Sequence, residues 1–283
     1  MPLFVLLSLW IRVVTSFKAG DEVFFAGSIG RHGCHAEYVA VDHRLVGLKP
    51  KSVSHSVASS MPLTVLTAWE ALEEKFHIPI PAAGSKEEAD NAKKTILIIA
   101  GAGGVGSIAI QLAKNVFKVG KVVTTAGRPE SATWCRNMGA DLVLDRTKDW
   151  KAQVTDAGIN GFDFILSCTE VDDLLDQLIA LSHPWAHICG IVVNQKPLNI
   201  AALFRKCLTF SWEFMGSRPV HQYQLERHHE ILTQFAKLVD DSTIKSWVGH
   251  TYDSVTLENM RAAHILQQSG TAIGKIVFDA KFE

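Results

Sequence analysis

The sequence predicts an α/β protein built on a doubly wound parallel sheet, with a smaller β-rich unit ahead of it. Three observations carry that prediction. From residue 95 onward, apolar runs of strand length alternate with helical stretches, the pattern of parallel strands joined by helical crossovers. A glycine-rich turn, Gly101-Ala102-Gly103-Gly104-Val105-Gly106, lies between the first of these strands and the first of these helices. Residues 22–41 read instead as short strands punctuated by Gly27, Gly30 and Gly33, as in a small antiparallel barrel.

The elements follow in order. EVFFAG (22–27), SIGRHG (28–33) and HAEYVAV (35–41) are the barrel-type strands and turns, and a helical stretch runs from Thr64 to Phe76. Residues 78–94 (IPIPAAGSKEEADNAKK) are polar and contain proline, and read as a linker or surface loop. TILIIA (95–100) is continuously apolar, suited to a strand buried on both faces. The helix after it carries Val105, Ile108, Ala109, Leu112, Ala113 and Val116 on one face. KVVTTA (121–126) is the second strand, and the next helix opens at Pro129 and closes at Gly139. DLVL (141–144), FDFILS (162–167) and WAHICGIVV (185–193) supply further strands. Gln222–Asp240 and Val255–Ser269 read as helices, and GKIVF (274–278) as a last short strand.

The bulk composition excludes several classes. With 283 residues, 47% hydrophobic and 20% charged, the chain is globular and long enough for two domains. Its 28 basic and 29 acidic residues leave a net charge of -1, so no general field attracts nucleic acid or anionic lipid. No apolar run is long enough to cross a membrane. Leu3–Ile11 (LFVLLSLWI) resembles the core of a secretory signal, but no basic residue precedes it and no small-residue cleavage site follows. The five cysteines, Cys34, Cys135, Cys168, Cys189 and Cys207, are odd in number and lack a C-x-x-C spacing. They read as buried free thiols of a reduced, cytoplasmic compartment.

A G-x-G-x-x-G turn between a buried strand and an amphipathic helix is the phosphate loop of a Rossmann dinucleotide site. Gly101 is expected to permit the tight turn, Gly103 to let the backbone approach a pyrophosphate, and Gly106 to bring helix and sheet close. Gly104 and Val105 open the helix, whose first N–H groups and dipole favour phosphate. The tip of the second strand, Ala126-Gly127-Arg128-Pro129, carries no acid for a ribose 2′-hydroxyl. Arg128 there suits a 2′-phosphate, hence NADPH, although the nearby Glu130 is an alternative partner for it.

Seven stretches carry a family likeness in family order: VTSFKAGDEVFFAG (14–27), AEYVAVD (36–42), MPLTVLTAWEAL (61–72), IIAGAGGVGSIAIQLAK (98–114), RPESATWCRNMGAD (128–141), SWEFMGSRP (211–219) and GTAIGKIVF (270–278). The chain resembles the medium-chain dehydrogenase/reductase superfamily on its quinone-oxidoreductase side, nearest the zinc-type alcohol dehydrogenase-like group. The resemblance implies a Rossmann domain, 79–245, and a truncated GroES-like β-barrel domain, 1–78, to which residues 246–283 return. It implies hydride transfer from NADPH to a small quinone or α,β-unsaturated carbonyl. Thr64 and Thr67 match threonines that face the nicotinamide region, Trp212–Met215 match a segment lining the same pocket, and Lys275 matches a basic residue near the cofactor phosphates. Each also has a plain reading: helix neighbours for the threonines, core for Trp212 and Phe214, a solvated lysine for Lys275. No catalytic acid is assigned, and a homodimer is the assembly compatible with the family.

The likeness begins at Val14. Relatives carry a half-barrel before it, where this chain has MPLFVLLSLWIRV, so weak turnover by this chain alone, or a non-catalytic NADPH-binding protein, is also an expectation. Zinc is not expected. His32-Gly33-Cys34-His35 is the one local ligand cluster, and adjacent strand residues point to opposite faces. That argues against a zinc-dependent alcohol dehydrogenase. His228-His229 and Cys34-His35 read as surface or loop residues.

Overall fold

Residues 96–99 of the first buried run are all apolar and all less than 5% exposed, so successive side chains meet packed atoms on both faces of the chain. That is the signature of a central parallel strand, and the computed structural model, which describes residues 14–34 and 36–279, shows this strand at the middle of a six-stranded sheet.

In chain order the strands are β1 (Val23–Phe25), β2 (Val46–Leu48), β3 (Thr95–Ile99), β4 (Lys121–Ala126), β5 (Leu142–Asp145), β6 (Phe162–Ser167), β7 (Ser182–Gly190), β8 (Thr209–Trp212), β9 (Val248–Tyr252) and β10 (Lys275–Phe278). The α-helices are α1 (His55–Ser59), α2 (Pro62–Glu70), α3 (Lys86–Asn91), α4 (Gly104–Gln111), α5 (Pro129–Asn137), α6 (Trp150–Asp156), α7 (Leu175–Leu181), α8 (Ser217–His221), α9 (Glu226–Asp240) and α10 (Leu257–Gln268). The chain divides into two units: Thr67–Phe214, and Met1–Leu66 with Met215–Glu283.

The unit Thr67–Phe214 holds the six-stranded sheet, ordered β5-β4-β3-β6-β7-β8 with every pair parallel. Renumbered within the unit, this is the doubly wound order 3-2-1-4-5-6 of a Rossmann domain. One face buries Leu97, Ile99, Val123, Leu144, Ile165 and Ile188 against Trp150, Val154, Leu178 and Leu181 of α6 and α7. β4 and β6 lie where the sequence put them; β7 starts three residues earlier than expected, and β8 was not anticipated.

The stretch 78–94 is not a simple linker. Ser85 caps α3 by accepting from Glu88 N–H, and Glu88 Oε2 accepts from Gly84 N–H. Ser85 and Glu88 have the spacing of a capping box. Buried Asn91 donates to the carbonyls of Pro79 (2.9 Å) and Phe117 (2.8 Å), holding the segment down. α2 and α4 each run into a single π turn, Ala71–Lys75 and Leu112–Val116. Both turns end on a phenylalanine followed by a left-handed residue, His77 (φ 55°) and Lys118 (φ 56°).

The second unit contains two two-stranded ladders. β1 and β2 pair antiparallel, and β9 and β10 pair parallel. Of the strands expected between 22 and 41, only β1 forms a ladder; Val39 and Val41 instead pack irregularly with Phe17 and Cys34 on Val23, Phe25 and Val46. α9 belongs to this unit, whereas the sequence reading left it with the Rossmann domain by setting the boundary at 245. The reason is its amphipathic face: Ile231, Leu232, Phe235, Ala236 and Val239 are buried, and His229 Nδ1 lies 2.6 Å from the Val46 carbonyl. The pair His228-His229 is accordingly no surface feature: His228 is 1% exposed. Cys207, in turn, is exposed rather than buried, while Cys135 and Cys189 are buried, and none of the five thiols is paired.

A Cβ at Gly47 would stand 2.6 Å from Leu232 Cβ and 3.0 Å from Phe24 Cε1. Gly47→Ala is therefore expected to cost about 1–3 kcal/mol by overpacking, read from denaturant midpoints. An unchanged midpoint contradicts the close docking of α9 on β2.

Candidate functional site

The turn from β3 to α4 is closed by three short approaches. A Cβ on Gly106 would lie 2.5 Å from the Ala100 carbonyl oxygen and 2.6 Å from Gly101 Cα, so only glycine lets the first turn of α4 sit over the end of β3. A Cβ on Gly101 would meet Thr124 Cβ at 2.9 Å and Ile110 Cδ1 at 3.0 Å. Gly101 is thus required for space, and the left-handed residue of the turn is Ala100 (φ 60°). Gly103 is different. A Cβ there would find the Ala100 oxygen at 3.4 Å and nothing nearer, so the protein itself leaves room above this residue.

Two residues that the sequence reading passed over hold the loop on the sheet. Thr125 Oγ1 accepts from Ala100 N–H at 3.0 Å, and Gly101 N–H reaches the Thr125 carbonyl at 3.3 Å. Thr124 Oγ1 donates to the Ile98 carbonyl at 2.6 Å. From α4, Ser107 Oγ donates to the Gly101 carbonyl (3.4 Å) while accepting from Trp134 Nε1 (2.8 Å). Polar residues within a strand that otherwise reads Val-Val were the available signal. Gly103 is the N-cap of α4 and supplies no side chain to it. The N–H groups of Gly104, Val105 and Gly106 therefore open the helix toward an anion, at the positive end of its dipole.

The β4 tip runs Ala126, Gly127, Arg128 into α5, where Arg128 is the extended N-cap residue (φ -139°, ψ 151°) and Pro129 the first helical one. Arg128 is half-buried. A second arginine, unforeseen in the sequence, stands beside it. Arg146 follows β5, its N–H bonds the Ala126 carbonyl (2.9 Å), and its side chain lies over Gly127, where a Cβ would meet Cδ at 3.0 Å and Cγ at 3.2 Å. The nearest acid on the neighbouring strand, Asp145, is held by its own turn: it accepts from Thr147 Oγ1 (2.7 Å) and Thr147 N–H (2.9 Å). Those bonds, the hydroxyl first, keep its carboxyl below the usual range. Arg128 and the side chain of Arg146 over Gly127 thus bring two arginines to the strand tip, with Asp145 and Glu130 as its acids.

The other expected site residues lie as follows. Thr64 and Thr67 are one turn apart on α2 and both buried, and Thr64 Oγ1 donates to the Met61 carbonyl at 3.0 Å. Trp212 ends β8, 39% exposed, its ring packed over Gly190 and edge-on to Phe210 at 5.0 Å. Phe214 is exposed and Met215 buried. Lys275 opens β10, and burial pulls its ammonium below the usual lysine range. Among the described residues no three His, Cys, Asp or Glu side chains converge; His35 lies outside the described residues. No helix among them is long and apolar enough to cross a membrane.

Comparison with known proteins agrees with this architecture. Residues 104–231 match the family model described as zinc-binding dehydrogenase. A zinc-type alcohol dehydrogenase-like protein of Staphylococcus epidermidis is 38% identical over 269 residues, 95% of this chain and 78% of that protein. The crystal structure of a putative zinc-dependent alcohol dehydrogenase from Rhizobium etli superposes with a TM-score of 0.86 at 35% identity, covering 95% of this chain and 76% of that one. An Arabidopsis thaliana chloroplastic NADPH-dependent alkenal/one oxidoreductase is 37% identical over 161 residues, 55% of this chain and 38% of that protein. On the sheet order, the phosphate-loop geometry and these likenesses, the chain belongs to the medium-chain dehydrogenase/reductase superfamily, in its zinc-type alcohol dehydrogenase-like group.

Proposed function

We propose that this oxidoreductase binds NADPH and reduces a small quinone or α,β-unsaturated carbonyl without zinc. The observation that carries the reading is the pair of arginines, Arg128 and Arg146, at the strand tip where an NAD site places an acid. The room left above Gly103 and the open start of α4 suit the pyrophosphate. The Arabidopsis relative named for NADPH and alkenal/one reduction supports the same cofactor and substrate class.

When bound, the nicotinamide supplies a hydride to the electron-poor carbon of the acceptor. The chain's residues do the rest. Gly101, Gly103, Gly104, Val105 and Gly106 cradle the phosphates, and Arg128 with Arg146 grips the 2′-phosphate through charge-assisted hydrogen bonds. Thr67, Trp212 and Phe214 bound the nicotinamide end. Positioning provides most of the rate, and the completing proton comes from water or a hydroxyl. The unpaired thiols suit a reducing, cytoplasmic setting.

Arg128→Ala is expected to weaken NADPH binding about 10- to 100-fold, since a hydrogen bond to a charged group contributes roughly 1.5–3 kcal/mol. Arg146→Ala should act in the same direction, and NADH binding should hardly change in either. Titrations by nucleotide fluorescence check this; equal loss of both nucleotides would mean that the arginines serve the fold alone.

The activity itself is tested by following NADPH oxidation with a panel of quinones and enones in metal-chelated buffer. Turnover that survives chelation is the expected outcome. Binding without turnover of any acceptor would reduce the protein to a dinucleotide binder, and turnover restored only by zinc would contradict the metal-free route.

A further inference from the structure

Beneath the exposed aromatic pair Trp212 and Phe214 lies a buried carboxyl that the reading above does not use. Exposure alternates along 212–215: Trp212 and Phe214 are exposed, Glu213 and Met215 buried. Glu213 is 3% exposed, and its N–H bonds the Gly190 carbonyl at 3.0 Å, fixing it at the C-terminal edge of the sheet. Glu70, the last residue of α2, is also 3% exposed, and its carboxyl lies within hydrogen-bonding reach of Glu213. Lys75 Nζ lies 3.5 Å from Glu213 Oε2 and is one-third exposed. Glu213 Oε1 is buried with no donor facing it.

Two carboxylates cannot meet in an apolar interior as two bare acceptors; one proton between them turns the repulsion into a strong hydrogen bond. The charged groups around the pair are few. Glu70 comes from α2, Glu74 and Lys75 from the π turn, and Cys189 from β7, with His187 bonded through Nδ1 to the Lys75 carbonyl. Burial first, then the Glu70 carboxylate, push the Glu213 carboxyl far up, and Lys75 opposes this only in part. A proton on Glu213 removes one negative charge from a cluster in which Glu70, Glu74 and Glu213 face the single ammonium of Lys75, and the orphan Oε1 can then donate.

We propose that Glu70 and Glu213 hold one proton between them, and that this protonated pair is a positioning device that ties the β8 end to α2 and so sets Trp212 and Phe214. Its bearing on the cofactor rests on the reading that residues 212–215 border the nicotinamide. The pair itself does not rest on that reading. Because Glu213 binds its proton more tightly folded than unfolded, its contribution is complete at acid pH. It is lost as pH rises from the ordinary carboxylate range toward the raised value.

The test compares the parent with Glu213→Gln, whose amide replaces the donor without titrating, and with Glu70→Gln. Denaturant unfolding and NADPH titration are run from about pH 5 to about pH 8, a window above the ordinary glutamate value. The unfolding constant of the parent should rise by up to about tenfold per pH unit relative to Glu213→Gln. The ratio of NADPH affinities of the parent and Glu213→Gln should stay constant through this window, where the folded pair keeps its proton, and should fall only when the titration is carried past the raised Glu213 value of about 9. Infrared spectra of the parent should show a protonated-carboxyl band at neutral pH, absent from Glu213→Gln and diminished in Glu70→Gln. Parallel unfolding curves against pH in parent and Glu213→Gln, or no such band in the parent, overturn the proposal. If Glu213→Gln does not fold, the parent's band and its loss at alkaline pH decide alone. Absence of NADPH binding with the band and the unfolding contrast intact would overturn the cofactor reading and leave the pair standing.

Discussion

The approach of Gly106 to the Ala100 carbonyl and Gly101 Cα is the constraint on which the rest of the Rossmann unit depends. It brings the start of α4 over the end of β3, so that unpaired N–H groups and the helix dipole meet at one point above the sheet. The same closeness removes water from the loop, and its polar backbone must then be satisfied internally. Thr125 and Thr124 on β4 and Ser107 on α4 do this. Since β4 neighbours both β3 and β5, the loop, the Arg128 tip and Arg146 share one edge of the sheet.

The two ends of that edge solve opposite electrostatic problems. At β4 and β5 arginines are gathered near solvent, Arg128 half-buried and Arg146 exposed, where charge costs little. At β8 acids are gathered in the interior, where charge is costly, and the low dielectric favours a shared proton over two ionised groups. Gly190 belongs to the second arrangement: a side chain there would occupy the place of the Trp212 ring, at 2.6 Å from Cζ3. The aromatic pair therefore has backbone beneath it on one strand and a polar anchor beneath it on the other.

Much of this was legible in the sequence. A continuous apolar run located β3, as a strand covered on both faces requires, and the alternation of strands with helices located β4 and β6. The glycine spacing located the phosphate loop, and the tip residues located Arg128. What stayed hidden depends on contacts between residues far apart in the chain. Arg146 is 18 positions beyond Arg128 and reaches it only through the β4–β5 pairing. Glu70 and Glu213 are separated by most of the Rossmann unit. α9 was assigned to the wrong side because its amphipathic face says that it packs, not against what. Polarity misled at 78–94, where a capping box and a buried asparagine make structure from hydrophilic residues.

The central claim is that the Gly101–Gly106 loop and the arginine tip together recognise a 2′-phosphorylated adenosine. It is tested most directly with fragments that lack the nicotinamide. Calorimetric titration with adenosine 2′,5′-bisphosphate and with adenosine 5′-monophosphate isolates the 2′-phosphate from every contact at the other end of the cofactor. The account predicts tighter binding of the bisphosphate by about 10- to 100-fold at low ionic strength, a preference that shrinks as salt screens the charge pairs. Equal affinity for the two fragments, insensitive to salt, would contradict it.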